Sequence, residues 1–310
     1  MQLPLWTLFA VASVVRAIPT GLEARAKSAA TSAVSSDTVN SVLLRPAFHA
    51  RASYCSANSV LTLACGSSCD VIKDMKVLIA GGDDGEIPGF YVASDPTLQA
   101  IVVAHQGTDP TKLLSIANDA EIKHVTMNPQ LFPTAADGVE VHDGFHKTQG
   151  RTAQQILGTV QSALKDTGFT KVLTTGHSLG GAIALLDATM FRMQLPSSIK
   201  VQSVTFGMPR VGNQQFADMV DSILPGFTRV TNQNDIVPIV PPRALDYEQV
   251  SGEVHIAAVD DSTGAANIVS CPGQENDNCS QGNSLLRVSI SDHLGPYFNG
   301  ISFGGKACPL

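Results

Sequence analysis

Residues Gly176-His-Ser-Leu-Gly180 constrain this chain more than any other stretch. They stand between a short run of strand character, Lys171-Val-Leu-Thr-Thr, and an Ala/Leu/Met-rich helical run from Gly181 to Met193. Glycines two before and two after a serine let a strand and a helix meet at a sharp turn. That turn leaves Ser178 in strained backbone with its hydroxyl presented for attack. A five-residue pattern with three fixed positions also arises by chance, and the flanking strand and helix supply the context its chemistry requires.

The surrounding pattern extends that unit. Ala100-Ile-Val-Val-Ala reads as a buried strand, Val201-Gln-Ser-Val-Thr-Phe-Gly and Phe227-Thr-Arg-Val-Thr-Asn as further strands, and 150–166 and 213–222 as amphipathic helices, the first closed by Gly168. Such alternation implies a mostly parallel sheet with helices on both faces. Before it, Val77-Leu-Ile-Ala and Gly89-Phe-Tyr-Val-Ala-Ser predict a hairpin around the Gly81–Gly85 turn. Residues 37–53 predict a helix capped by Ser36 or Asp37, with Val39, Val42, Leu43, Pro46 and Phe48 as its apolar positions.

A serine hydroxyl needs a histidine to take its proton and a carboxylate to hold that histidine's tautomer. On this scaffold the order Ser, acid, His confines the search to residues beyond 178, where only His255 and His293 qualify. His255 alternates within Glu253-Val-His-Ile-Ala like a strand residue. His293 falls in Ser291-Asp-His-Leu-Gly-Pro-Tyr297, a Gly/Pro-rich loop after the strand Leu285–Ile290, and is the favoured base. Asp235 sits in a polar turn after the strand at Arg229, where catalytic groups of open α/β sheets gather. Asp218, Asp221 and Asp246 read as solvated carboxylates, and Asp292 remains a competitor. For the oxyanion, the backbone N–H of Leu179 is one donor, and Thr108, in the loop His105-Gln-Gly-Thr-Asp109, offers the second.

The outer bounds of the chain point the same way. Met1–Ala17 is an apolar run too short to span a bilayer and ends in small residues, as a secretion signal does. Residues 18–35 turn to Ala, Ser and Thr without an apolar face and read as a propeptide or flexible leader. Residues 36–310 are expected to form one catalytic domain. Losing 1–35 removes two net positive charges, taking the formal charge from −7 to about −9, which argues against a nucleic-acid or polyphosphate partner. Six cysteines in such a chain favour disulfides over metal ligation, with 15 connectivities open.

Gly107-Thr108, Val141-His-Asp-Gly-Phe145, Gly176-His-Ser-Leu-Gly-Gly-Ala182, Phe206-Gly-Met-Pro-Arg-Val-Gly-Asn213, Asn232-x-x-Asp235-x-Val-Pro238 and Asp292-His293 occur in an order that resembles the secreted fungal class 3 lipases. The resemblance spans nearly everything from Asp37 to Leu310 and implies an α/β-hydrolase fold, a Ser178–Asp235–His293 triad and an oxyanion hole of Thr108 and Leu179. It implies bridges Cys55–Cys308, Cys65–Cys69 and Cys271–Cys279, and a lid at 109–117 whose Leu113, Leu114 and Ile116 cover an acyl site. It leaves His142 a structural role. His105 and Gln106 depart from the family, whose members often carry an aromatic or apolar residue and an arginine there, and the lid lacks the tryptophan of several relatives.

The expected activity is hydrolysis of carboxylic esters, foremost triacylglycerols at an oil–water interface, by a secreted monomer with no membrane span in its mature form, no metal and no organic cofactor. A feruloyl-type or broad short-chain esterase is the alternative within the fold, and a catalytically silent lipid-binding homologue the alternative outside enzymology. The sequon Asn278-Cys-Ser280 holds a bridged cysteine and is expected to stay unglycosylated.

Overall fold

A computed structural model describes residues 29–83, 85–108, 122–260, 262–283, 287, 289–304 and 308. Strand β1 (Ser32–Ala33) is followed by the hairpin β2 (Lys76–Gly81) and β3 (Phe90–Asp95), then by β4 (Ala100–His105). Strands β5 (His124–Thr126) and β6 (Glu140–His142) make a separate ribbon, and β7 (Lys171–His177), β8 (Lys200–Phe206), β9 (Thr228–Asn232), β10 (Glu253–Val259) and β11 (Ala266–Cys271) complete the set. Among the described residues one nine-stranded sheet runs in the order β1-β11-β10-β9-β8-β7-β4-β3-β2. Its centre, β4-β7-β8-β9-β10, is parallel, and both flanks are antiparallel.

The centre is parallel because its strands are apolar on both faces. Every residue of β4 is buried. Alternation splits the strands between two layers: Ile101, Val103 and Val172 face one apolar cluster, Val102 and Leu173 the other. The helices, in chain order, are α1 (Leu44–Ala52), α2 (Ala57–Leu61), α3 (Asp143–Gly150), α4 (Ala153–Thr167), α5 (Leu179–Gln194), α6 (Gln214–Ile223) and α7 (Ile290–Leu294). Helices α3 to α6 pack on the first face, and α1 with Tyr297, Phe298 and Phe303 on the second. The sheet is that of an α/β hydrolase, as expected. No helix among the described residues is long and apolar enough to cross a membrane.

Several local expectations are corrected. The helix over 37–53 is capped by Ser35, whose side chain accepts the N–H of Thr38. It opens into a π-turn at Val39–Leu43, because Pro46 has no N–H to continue the ordinary ladder. The wider turn rotates the apolar face, so Val42 stands 45% exposed while Ala47, His49 and Ala50 are buried. The helix expected over 150–166 begins at Ala153 and is preceded by α3; Gly168 closes it with a left-handed φ of 70°. Within the expected leader, exposed Ser32 and Ala33 pair through their backbone with Ser270 and Val269, and Ala29 C=O accepts from Asn276. Backbone pairing at a sheet edge needs no side-chain pattern, so composition carries no sign of it.

All three implied disulfides form. Cys55–Cys308 spans 253 residues and ties the end of α1 to the chain's last residues, worth about 5 kcal/mol on the chain-entropy account.

Candidate active site

The serine turn is built by close approach. A Cβ on Gly176 would overlap the backbone of Gly180, and one on Gly180 would overlap the carbonyl of His105, so both positions admit only glycine. Ser178 itself takes φ 59° and ψ −130°, and its N–H is held by the carbonyl of Phe206 at 2.9 Å. Strain of this kind costs about 1–3 kcal/mol and persists because β7 and α5 fix both sides. Leu179 opens α5, so its N–H has no helical acceptor, and the positive end of the helix dipole lies at Ser178.

Asp235 and His293 come together from residues 58 apart. His293 Nδ1 lies 2.9 Å from Asp235 Oδ2, with both side chains at most 1% exposed. The other carboxylate oxygen accepts the N–H of Val237 at 2.8 Å. The predicted loop around His293 is a single helical turn, α7, capped by Ser289, because Ser289 supplies the N-terminal acceptor its composition hides. Asp292, the competing acid, turns to the N–H of Asn234 at 3.0 Å and so fastens α7 to the Asp235 turn. Asn232 adds bonds to the carbonyls of Asp292 and Pro296. A Cβ on Gly207, one residue past the carbonyl that holds Ser178, would lie 2.9 Å from the His293 ring and 3.0 Å from Asp235 Oδ2. The His–Asp pair thus borders the serine turn.

The third expected part lies on the other side. A Cβ on Gly107 would come 2.9 Å from that of Ser178. Each of three consecutive residues there is anchored to a different element. His105 Nε2 is 2.8 Å from buried Asp187 of α5. Gln106 accepts the N–H of Gly89 at 2.8 Å while its own N–H goes to the Gly89 carbonyl. Gly107 sits against Tyr54, whose hydroxyl a Cβ on it would overlap and which receives its N–H. The two departures from the family pattern, His105 and Gln106, are therefore side chains that fasten this segment. Among the described residues Thr108 Oγ1 is buried without a partner, as are Ser178 Oγ and His293 Nε2. Nine side-chain polar atoms of the described residues are buried so, and the three that gather here are the predicted nucleophile, the predicted base and a predicted oxyanion donor.

His255 stands on β10 with Nδ1 2.8 Å from Thr231 Oγ1. His142 caps α3, accepts the N–H of Gly144 at 3.1 Å and stacks on Phe145; burial lowers it to about 4. Asp221, expected as a solvated carboxylate, is half-buried and accepts the N–H and hydroxyl of Ser251. Among the described residues the only His/Cys/Asp/Glu cluster close enough for a metal is Glu253 with Cys271 and Cys279, whose sulfurs are bonded to each other. The lid expected at 109–117, with Leu113, Leu114 and Ile116, lies outside the described residues.

An α/β-hydrolase sheet carrying a serine elbow beside a carboxylate-backed histidine is the arrangement of a serine ester hydrolase. The class 3 lipase family model matches residues 102–245. A secreted mono- and diacylglycerol lipase of Malassezia globosa is 33% identical over 228 residues, covering 73% of this chain and 71% of the relative. Among solved structures, lipase II from Rhizopus niveus superposes with a TM-score of 0.76 at 26% identity, over 89% of this chain and 99% of that one. The lipase–propeptide complex from Rhizomucor miehei gives 0.75 at 29%, over 88% and 84%. The chain belongs to the class 3 lipases.

Proposed function

We propose that this protein is a secreted lipase that hydrolyses acylglycerols through an acyl-enzyme on Ser178. His293 Nε2 takes the serine proton as Oγ attacks the ester carbonyl, and Asp235 holds Nδ1–H and supports the imidazolium. The N–H of Leu179 and the N–H and hydroxyl of Thr108 receive the developing oxyanion. The imidazolium then protonates the leaving alcohol, and water, deprotonated by His293, releases the acid. The observation that carries this reading is that three polar atoms buried without a partner among the described residues, Ser178 Oγ, His293 Nε2 and Thr108 Oγ1, gather around one strained turn. Secretion rests on the signal-like 1–17 and on relatives named as secreted. Residues 36–310 act as one monomeric catalytic unit, with 109–117 as a lid at the oil–water interface.

Triacylglycerol is the first expected substrate, and solved lipases of this fold act on it by name. Relatives at 30–35% identity named as mono- and diacylglycerol lipases favour a second reading in which the partial glycerides are preferred. Rates on tri-, di- and monoacylglycerols, below and above the concentration at which droplets form, separate the two, with Ser178→Ala as control. Triacylglycerol turnover that rises above that threshold and vanishes in Ser178→Ala supports the first reading; turnover confined to partial glycerides supports the second. Activity surviving in Ser178→Ala rejects the mechanism.

A further inference from the structure

We propose that Tyr54 and His177 are positioning residues forming one hydrogen-bonded chain that ties the oxyanion segment at Gly107–Thr108 to the helix carrying His293. The proposal rests on the reading of Ser178, His293 and Asp235 given above.

The chain has four members and one possible direction. His177 Nε2 lies 2.8 Å from the backbone carbonyl of His293, and a carbonyl only accepts, so Nε2 carries the proton. Burial, reinforced by the neighbouring His293, holds His177 well below its ordinary range, so the ring is neutral and Nδ1 is an acceptor. Tyr54 Oη, 2.6 Å from that nitrogen, must be the donor, and burial keeps its hydroxyl protonated. Its oxygen is packed against Gly107 so closely that a Cβ there would overlap it, and it receives the Gly107 N–H on its remaining lone pair. Polarity therefore runs from the Gly107 amide, through the Tyr54 hydroxyl and the His177 ring, into the His293 carbonyl.

Geometry gives this chain leverage over both loops. His177 precedes Ser178 on β7, so its ring bridges from the nucleophile's own strand to the segments on either side. Tyr54 precedes Cys55, whose disulfide to Cys308 pins the far end of the chain. The Gly107 N–H lies in the 106–107 peptide, one plane before the peptide that carries the Thr108 N–H, so holding it leaves only φ and ψ of Gly107 between the held plane and that donor. Phe303 stacks on His177 with centroids 4.5 Å apart, and Tyr297 donates a second bond to the His293 carbonyl at 3.1 Å. Neither contact reaches the oxyanion segment; Gly107 packs against the His177 backbone, and Tyr54 is the side chain that joins it to the His177 ring.

The test uses Tyr54→Phe, His177→Leu, the double variant and His177→Gln on a soluble p-nitrophenyl ester, with affinity for an alkyl boronic acid that mimics the tetrahedral intermediate. Tyr54→Phe is expected to lower kcat about 10- to 100-fold with KM within about twofold, and to weaken the boronate by a similar factor. The double variant should be no slower than His177→Leu, because one chain breaks only once. His177→Gln, which keeps an acceptor and a donor, should recover part of the rate. A lower melting temperature with unchanged kcat, or losses that multiply in the double variant, overturns the proposal. Ser178→Ala, run alongside, separates the failures: activity persisting there rejects the underlying mechanism, whereas its loss with full kcat in Tyr54→Phe rejects the chain alone.

Discussion

Two buried histidine–carboxylate pairs in this molecule have nearly the same geometry and opposite prospects. His49 Nε2 lies 2.7 Å from Asp95 Oδ2, and His293 Nδ1 lies 2.9 Å from Asp235 Oδ2, with all four side chains at most 1% exposed. At the first pair every valence is used. His49 Nδ1 meets Tyr91 Oη at 2.9 Å, and Asp95 also binds Arg45 and the N–H of Leu98. Burial raises the Asp95 carboxyl, but bonds from His49 and Arg45 outweigh it and hold the group well below the usual carboxylate range. At the second pair His293 Nε2 has no partner among the described residues, and the pair borders a strained serine. A histidine backed by a carboxylate is therefore no sign of catalysis by itself; what sets the proposed base apart is its second nitrogen, which faces no partner among the described residues beside the proposed nucleophile.

Replacing one histidine from each pair gives the largest contrast. His293→Ala is expected to cut kcat by roughly 10⁴- to 10⁶-fold while the melting temperature moves little, measured by single-turnover acylation and calorimetry. His49→Ala should do the reverse, costing about 1–3 kcal/mol in urea unfolding because it takes one bond from buried Asp95, which keeps Arg45 and Leu98, and one from Tyr91, with kcat per folded molecule unchanged. If His49→Ala lost catalysis without losing stability, the division drawn here would be wrong.

A third pair, His105–Asp187, stands between them, since it is buried like the first yet fastens the residue three before Thr108. Asp187 also accepts the Gln149 amide at 2.9 Å. Asp187→Asn keeps the shape and removes the charge, so about 1–3 kcal/mol of stability and several-fold in kcat should go together. Losing only stability would place the pair with His49; losing only rate would place it with His293.

These pairs also mark how far the sequence speaks. Ser178, Asp235 and His293 are legible because each sits in a local signature: a glycine-framed serine, a polar turn at a strand end, a histidine in a Gly/Pro-rich stretch. The central sheet is legible because its strands and helices alternate in period. Tyr54, His105 and His49 are not, because their partners lie 123, 82 and 46 residues away and no periodicity links them. Asp187 alone gives a hint: a lone carboxylate in the apolar run Ile183-Ala-Leu-Leu-Asp-Ala-Thr-Met must be paired once the helix is buried. The disulfide pairing came within reach through family resemblance and not through spacing.

Acid sharpens the contrast between histidines that folding needs neutral and one that turnover must protonate. His142 is lowered to about 4, chiefly by burial, against about 6.5 in an unfolded chain. Above pH 6.5 both forms are neutral and the group contributes nothing. As pH falls below 6.5 the unfolded chain binds a proton that the native one refuses, so stability drops until about pH 4 and then levels off. His142 alone should cost about 2 kcal/mol between pH 6.5 and 5, and His142→Gln should flatten that part of the profile in urea titrations. His49, His146 and His255 are lowered by burial too and add to the same slope.

The smallest effect decides between the two histidines that the sequence offers as base. His255 bonds Thr231 on the neighbouring parallel strand, and that hydroxyl also donates to Glu253, which in turn pairs with Arg229. Its bond is one among several, and the ion pair it borders survives without it. His255→Gln, which can still meet the Thr231 hydroxyl, should therefore cost about 1 kcal/mol in urea and leave kcat on a soluble ester within twofold. A thousandfold loss of kcat with intact folding would move the general base from α7 to β10, and with it the whole comparison between working and structural histidines.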